Sequence, residues 1–231
     1  MKRLFRYSSL FLGSVMLISV FSVTDARSQV LREILSRMDT NNKSLKSLQA
    51  DVTMVKFDSV LKVYDASRGS TSYLPETKKQ KRYLRFEWTT KPVEKVVLIG
   101  DQYELYKPSI STVYSGKLGK SGDTLGFSAL SFVSMSRSQL KADYDIAYLG
   151  EEQIKDGVNT WHLQLTPKLA TTYKTVELWV DGNGMPRQAK TIEKNNSSTT
   201  ILLSNIRRNE TIKANVFKLD YDKKKVKIVN P

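Results

Sequence analysis

The 231-residue sequence contains no cysteine and only one histidine. The first absence excludes disulfides, thiolate nucleophiles and thiolate metal sites, and it also removes the residue that is lipidated in bacterial lipoproteins. The histidine, His162, lies in the alternating run Trp161-His162-Leu163-Gln164-Leu165, on the less apolar face with Gln164. That position predicts a surface-strand residue rather than part of a serine triad or a metal site. A phosphate loop is missing too: Gly119-Lys120-Ser121 would need a glycine at position 114, where Tyr114 stands. The pair Glu151-Glu152 precedes Asp156-Gly157 and is expected to be solvated turn charge, not an acid/base dyad. No enzyme activity and no cofactor are expected.

Long apolar runs are also lacking. The stretch Leu10–Val23 is 14 residues, broken by Gly13, Ser14, Ser19 and Ser22, whereas a membrane-spanning helix needs about 20. It follows Lys2, Arg3 and Arg6 and precedes Thr24-Asp25-Ala26-Arg27-Ser28. Basic, apolar and small polar zones in that order describe a cleavable secretory signal over residues 1–28, with cleavage after Ala26 or Ser28. Residues 29–231 are then a single exported domain, free of a lipid anchor. Losing the signal removes four cations and one carboxylate, so the formal charge falls from +14 to about +11. Such an excess reads either as a solvated, solubilising surface or as a preference for anionic partners, which outside a bacterial cytoplasm are phospholipid and lipopolysaccharide head groups rather than nucleic acid.

The domain opens with Val30, Leu31, Ile34, Leu35 and Met38 at helical spacing, predicting an amphipathic helix that runs on toward Leu45 or Leu48. The period then changes to two. Ala50, Val52 and Met54 alternate with polar residues, as do Leu84, Phe86 and Trp88. Further strands are expected at 96–99, 103–106, 161–165, 175–180, 188–192, 199–203 and 216–219, and Asp181-Gly182-Asn183-Gly184 has hairpin chemistry. Short strands in hairpins predict one large antiparallel sheet, curled or closed. A Gly-rich loop at 116–122 leads into Leu125, Phe127, Leu130, Phe132 and Met135 among serines, which reads either as core helices plugging the sheet or as a movable lid. The cluster Lys78-Lys79-Gln80-Lys81-Arg82 runs straight into the aromatic strand Tyr83–Trp88. It is either a polar edge on a core strand or a cationic mouth to an apolar interior.

At these residues the sequence resembles the LolA family of periplasmic lipoprotein carriers. The segments carrying the likeness are Val30–Met38, Leu48–Val52, Leu84-Arg85-Phe86-Glu87-Trp88, Val97–Asp101 with Tyr106-Lys107-Pro108, Leu163–Lys168, and Val180–Gly184. The resemblance implies a mainly β fold: an incomplete, strongly curved antiparallel barrel, with helices covering an apolar cavity. It implies a monomeric carrier in the periplasm that takes acylated lipoproteins from an inner-membrane releasing transporter to an outer-membrane acceptor, touching membranes transiently and using no cofactor. It further implies a lid-locking arginine ahead of the aromatic strand and a cargo-receiving phenylalanine within it. Ungapped alignment on Trp88 gives Arg82 and Phe86, with Tyr83 where the family has proline; a small gap transfers the basic role to Lys81 or Lys79. The expected cavity lining is Leu84, Phe86, Trp88, Val97, Ile99, Tyr103 and Leu105. The lid is Leu125, Phe127, Leu130, Phe132 and Met135. A carrier of another envelope lipid, such as a glycolipid or hopanoid, or an envelope-stress sensor that binds lipoproteins, would share the same shape.

Overall fold

Alternating apolar and polar side chains form strands along most of the chain, and the register between those strands decides which side chains share a face. The computed structural model describes residues 22–90, 92–117 and 135–230. Helix α1 (Ser22–Ser44) leads into β1 (Leu48–Asp58), β2 (Val63–Leu74), β3 (Tyr83–Trp88), β4 (Glu94–Ile99), β5 (Gln102–Lys107) and β6 (Thr112–Lys117). Helix α2 (Arg137–Asp143) opens the second half, β7 (Tyr144–Gln153), β8 (Asn159–Pro167), β9 (Tyr173–Asp181), β10 (Pro186–Glu193) and β11 (Ser198–Arg208), and the short β12 (Lys227–Val229) follows near the C-terminus. All twelve strands join one sheet, in the order β12-β6-β5-β4-β3-β2-β1-β11-β10-β9-β8-β7. It is the expected curved, open and essentially antiparallel sheet; only the β12–β6 pairing is parallel.

Two meanders meet at β1, which pairs with β2 on one side and β11 on the other. Directly paired residues point to the same face. One continuous row therefore runs Ala50, Thr71, Phe86, Val96, Leu105, Tyr114 across the first meander. A second runs Met54, Ile201, Ala189, Leu178, Leu163, Tyr148 across the other. Apart from Thr71, both rows belong to or pack against a single apolar cluster, to which α1 adds Ile34, Leu35 and Met38 and α2 adds Leu140. These helical residues recur at three- and four-residue spacing, so one stripe of α1 lies on the sheet while Glu33, Arg37 and Lys43 stay outside. Helix α2 is short but well started: Ser136 and Gln139 form a reciprocal capping box.

Two glycines allow close approach. A Cβ on Gly69 would stand 2.1 Å from the carbonyl oxygen of Glu87, so β2 and β3 can pair there only without a side chain. Gly184 has φ +80° and touches the Arg37–Met38 backbone of α1, which lets the β9–β10 turn carry the helix. Arg37 Nη1 donates to the Gly182 carbonyl at 2.8 Å across the same contact.

Several expectations are corrected. Helix α1 already includes Ser22, ahead of the expected Val30, although residues 26–29 are exposed and, among the side chains described, Val30 is the first to pack on the core. Residues 216–219 are not a strand. A 3-10 turn, Ala214–Phe217, replaces it, because Phe217 is buried and the Val216 carbonyl is taken by the Arg85 side chain. Glu151 and Glu152 lie in β7 rather than a turn, and the Glu152 carboxylate accepts from Trp179 Nε1 at 2.8 Å. Gly116, placed in a loop, closes β6. Strands β2, β6, β7 and β12 were not foreseen: β2 is largely small, polar and exposed, and β7 kinks at a bulge near Gly150.

Gly69→Ala should lower unfolding free energy by about 3 kcal/mol or more, since the overlap is with backbone rather than a movable side chain; urea denaturation measures it, and a loss under about 1 kcal/mol would contradict the packing described.

Candidate functional site

The apolar cluster of the concave face spans both meanders of the sheet. Strand β3 presents Leu84, Phe86 and Trp88 to it and Tyr83, Arg85 and Glu87 away from it, as alternation requires. Phe86 is 1% exposed, and its ring stacks 5.6 Å from that of Trp88. Pairing across β4 and β5 adds Val96, Leu98, Leu105 and Tyr103 to the same side. Around this buried centre lies a margin of half-buried side chains, among them Met54, Tyr73, Tyr114, Met135 and Trp161. The face is apolar, deep and bordered by long or aromatic side chains. It can take hydrocarbon, and among the described residues it offers no constellation for bond chemistry.

Of the expected lining, Leu84, Phe86, Trp88, Tyr103 and Leu105 are brought together here. Val97 and Ile99 are not. They pair with Arg85 and Tyr83, so they occupy the outer face. The reason is physical: Val96–Ile99 is an unbroken apolar run, in which alternation gives no clue to direction and only pairing does. Val96 and Leu98, which do face the cluster, were missed; pairing the Val96–Ile99 run as a hairpin with Tyr103–Tyr106 would have found them. Of the five lid residues, Met135 packs against the cluster, while Leu125, Phe127, Leu130 and Phe132 lie outside the described residues.

Arg82 precedes β3. Its Nε donates to the Gly100 carbonyl at 2.8 Å, and its own carbonyl accepts from the Gly100 amide at 2.9 Å. The Lys81 stem packs on the same glycine, where a Cβ would stand 3.1 Å from Lys81 Cδ. Both cations therefore sit at the β4–β5 turn, at the end of the sheet where the aromatic strand begins.

The outer face carries its own arrangement, unanticipated from sequence. Arg85, on the opposite side of β3 from Phe86, donates through Nη1 to the carbonyls of Val216 (2.7 Å) and Lys218 (3.0 Å), and through Nη2 to Glu87 (2.7 Å). Lys95 completes the cluster, 3.0 Å from Glu87. Burial raises the pKa of the Glu87 carboxyl, but the hydrogen bonds from Arg85 and Lys95 outweigh that and hold it below the ordinary 4.5. The tail so clamped covers Val97 and Ile99, with Phe217 against Tyr83 and Tyr221 against Tyr106. It borders a half-open cavity of about 510 Å³, lined also by Val97 and Ile99. His162 also lies on this face, stacked on Trp179 and 3.1 Å from Glu152. Among the described residues no group of three or more His, Asp or Glu side chains could hold a metal ion.

Comparison with known proteins gives the geometry a family. The model of the family described as outer membrane lipoprotein carrier protein LolA matches residues 79–220. The chain belongs to the LolA family. Family members are periplasmic lipoprotein carriers, and no helix among the described residues is long and apolar enough to cross a membrane. No curated protein matches the chain. An uncharacterized conserved protein from Thermus thermophilus superposes with TM-score 0.56 at 14% identity, over 88% of this chain and all of the other. MucB superposes with TM-score 0.55 at 16% identity over 86% of this chain, which spans 64% of MucB. A LolA superfamily protein from Nitrosomonas europaea is 18% identical, with TM-score 0.41, over 82% of this chain and 98% of that one. At these identities the likeness is one of fold.

Arg85→Met should free the tail while leaving the concave face packed, at a cost of about 2–3 kcal/mol and with faster proteolysis after Arg208 as the direct readout. Because the folded pKa of Glu87 is depressed, its contribution is present above the unfolded value and fades as pH falls below 4.5; Glu87→Gln should flatten the stability profile in that acid range, and an unchanged profile would remove Glu87 from the clamp.

Proposed function

We propose that the protein is a periplasmic carrier that holds the acyl chains of lipoproteins against its concave face and shuttles them from the inner to the outer membrane. The observation that carries this reading is the continuous apolar cluster spanning both meanders, closed by helices rather than by a second sheet. Each methylene moved from water onto such a face contributes about 0.8 kcal/mol. A free acyl chain in water is therefore strongly driven to any concavity that opens to it.

A carrier must also let go. In the closed form Ile34, Leu35 and Met38 of α1 occupy the space that hydrocarbon would take. Acyl chains then compete with the protein's own side chains, so net affinity is lower than that of an empty cavity and can be tuned by partners that favour one form. Loading by an inner-membrane transporter and unloading at an outer-membrane acceptor would be two such biases. The cationic pair Lys81 and Arg82 stands at the sheet end, where it can hold a lid or a head group. Residues 1–28 would be the export signal, and the exposure of residues 26–29, just ahead of Val30, which packs on the core, supports a mature start near that point. The mature protein would then be an unanchored monomer.

Depletion of the protein should cause lipoproteins to accumulate in the inner membrane, as read by membrane fractionation. Arg82→Leu should retain the fold, since Arg82 is only half-buried, and should lower lipoprotein transfer in a reconstituted assay severalfold; wild-type transfer by this variant would remove Arg82 from the mechanism. Phe86→Ala should instead cost about 3–5 kcal/mol of stability, because Phe86 is part of the closed core and not only a cargo contact.

A further inference from the structure

Successive antiparallel strands place alternate turns at the same end of the sheet, so the β1–β2, β5–β6, β8–β9 and β10–β11 turns share one end. Among the described residues eight large apolar side chains are exposed, and six of them are at that end: Val60, Leu61, Val63, Tyr64, Ile110 and Leu169. The other two, Leu149 and Ile228, lie within strands. Four of the six belong to the β1–β2 hairpin, with Val60 79% and Leu61 69% exposed. Such concentration marks an interaction surface rather than the scattered exposure usual on a protein.

The hairpin tip is built rather than loose. Asp58 Oδ1 accepts from the amides of Val60 (2.8 Å) and Leu61 (2.9 Å), and the Lys62 amide returns to the Asp58 carbonyl at 2.9 Å, with Lys62 at φ +58°. Ser59 anchors the tip to the β10–β11 turn: its hydroxyl donates to the Asn195 carbonyl, and its amide donates to Ser197 Oγ at 3.1 Å. The amides of the two apolar tip residues, Val60 and Leu61, are therefore already satisfied within the turn, which lowers the cost of moving the tip out of bulk water. Behind them Tyr64 packs on Phe57, and the Lys62 amine lies over the Phe57 ring. Lys56, Arg68, Lys174 and Lys194 also stand at this end, against the carboxylates Asp58, Asp65 and Glu193. Asp58 stays ionised within the turn, and Lys56, Lys62, Arg68, Lys174 and Lys194 outnumber the three carboxylates, in a chain of formal charge +14.

We propose that the β1–β2 hairpin tip is a membrane-docking element, which inserts Val60 and Leu61 into the interface of an anionic phospholipid bilayer while the flanking lysines meet head groups. A narrow convex point suits a deformable lipid interface better than a protein surface, which would need a matching pocket. The aromatic and lysine collar is the composition found at such interfaces. Docking in this way is independent of what the concave face carries.

The test is vesicle flotation of the protein purified from the periplasmic fraction of cells producing the full chain, with no lipoprotein present. On protein-free vesicles of phosphatidylethanolamine and phosphatidylglycerol the wild type should float, and the V60S/L61S double variant should bind about tenfold more weakly or worse with an unchanged Tm. Leu149→Ser, an exposed site within a strand, should bind like the wild type. The proposal is overturned if the wild type ignores protein-free vesicles, if V60S/L61S floats equally well, or if only envelope membranes retaining their proteins capture the chain, which would point to a protein partner. Because lipoprotein transfer is not read, failure of the carrier reading would leave these outcomes unaffected.

Discussion

An open sheet that gathers continuous rows of apolar residues on one side cannot leave that side in water. Here the constraint is severe, because the rows through Phe86 and Leu178 extend across nearly the whole sheet. The rest of the molecule can be read as a response to it: α1 lays its single apolar stripe on the face, α2 adds Leu140, and the β9–β10 turn supports α1 through a glycine that permits backbone contact. A second sheet would have closed the face permanently, as in a sandwich. Here helices attached mainly along one stripe close it instead.

The two faces of β3 divide the work. Phe86 and its neighbours belong to the concave side, while Arg85 and Glu87, one residue away on either side, hold the C-terminal segment on the convex side. A change in β3 therefore acts on both faces, and substitutions there have to be judged by which way the side chain points. The convex side is held by charge-assisted hydrogen bonds and the concave side by burial, so acid weakens one without directly touching the other.

Where the sequence carried a strong period, it was sufficient: the opening helix, the aromatic strand and the Asp181–Gly184 hairpin were all legible from spacing and turn chemistry. The misreadings have one source. Val97 and Ile99 sit in a run without alternation, β2 has few apolar residues because much of it is exposed, and Glu151-Glu152 are polar because they lie on an edge strand. In each case the deciding information is the identity of the neighbouring strand, which a local window does not contain. Arg85 is the same lesson at the site: besides the nearby Glu87, its partners are the backbone carbonyls of Val216 and Lys218, more than 130 residues away in sequence, which no residue pattern can announce.

The sheet's two edges differ. One is shielded by β12, which pairs in parallel with β6; the other, β7, has no further strand beside it among the described residues. The bulge at Gly150 bends β7 out of register, and Glu151 and Glu152 follow immediately. A kinked, acidic border is a poor template for another strand. At this edge the open sheet is thereby kept from pairing with a second copy and growing into a polymer.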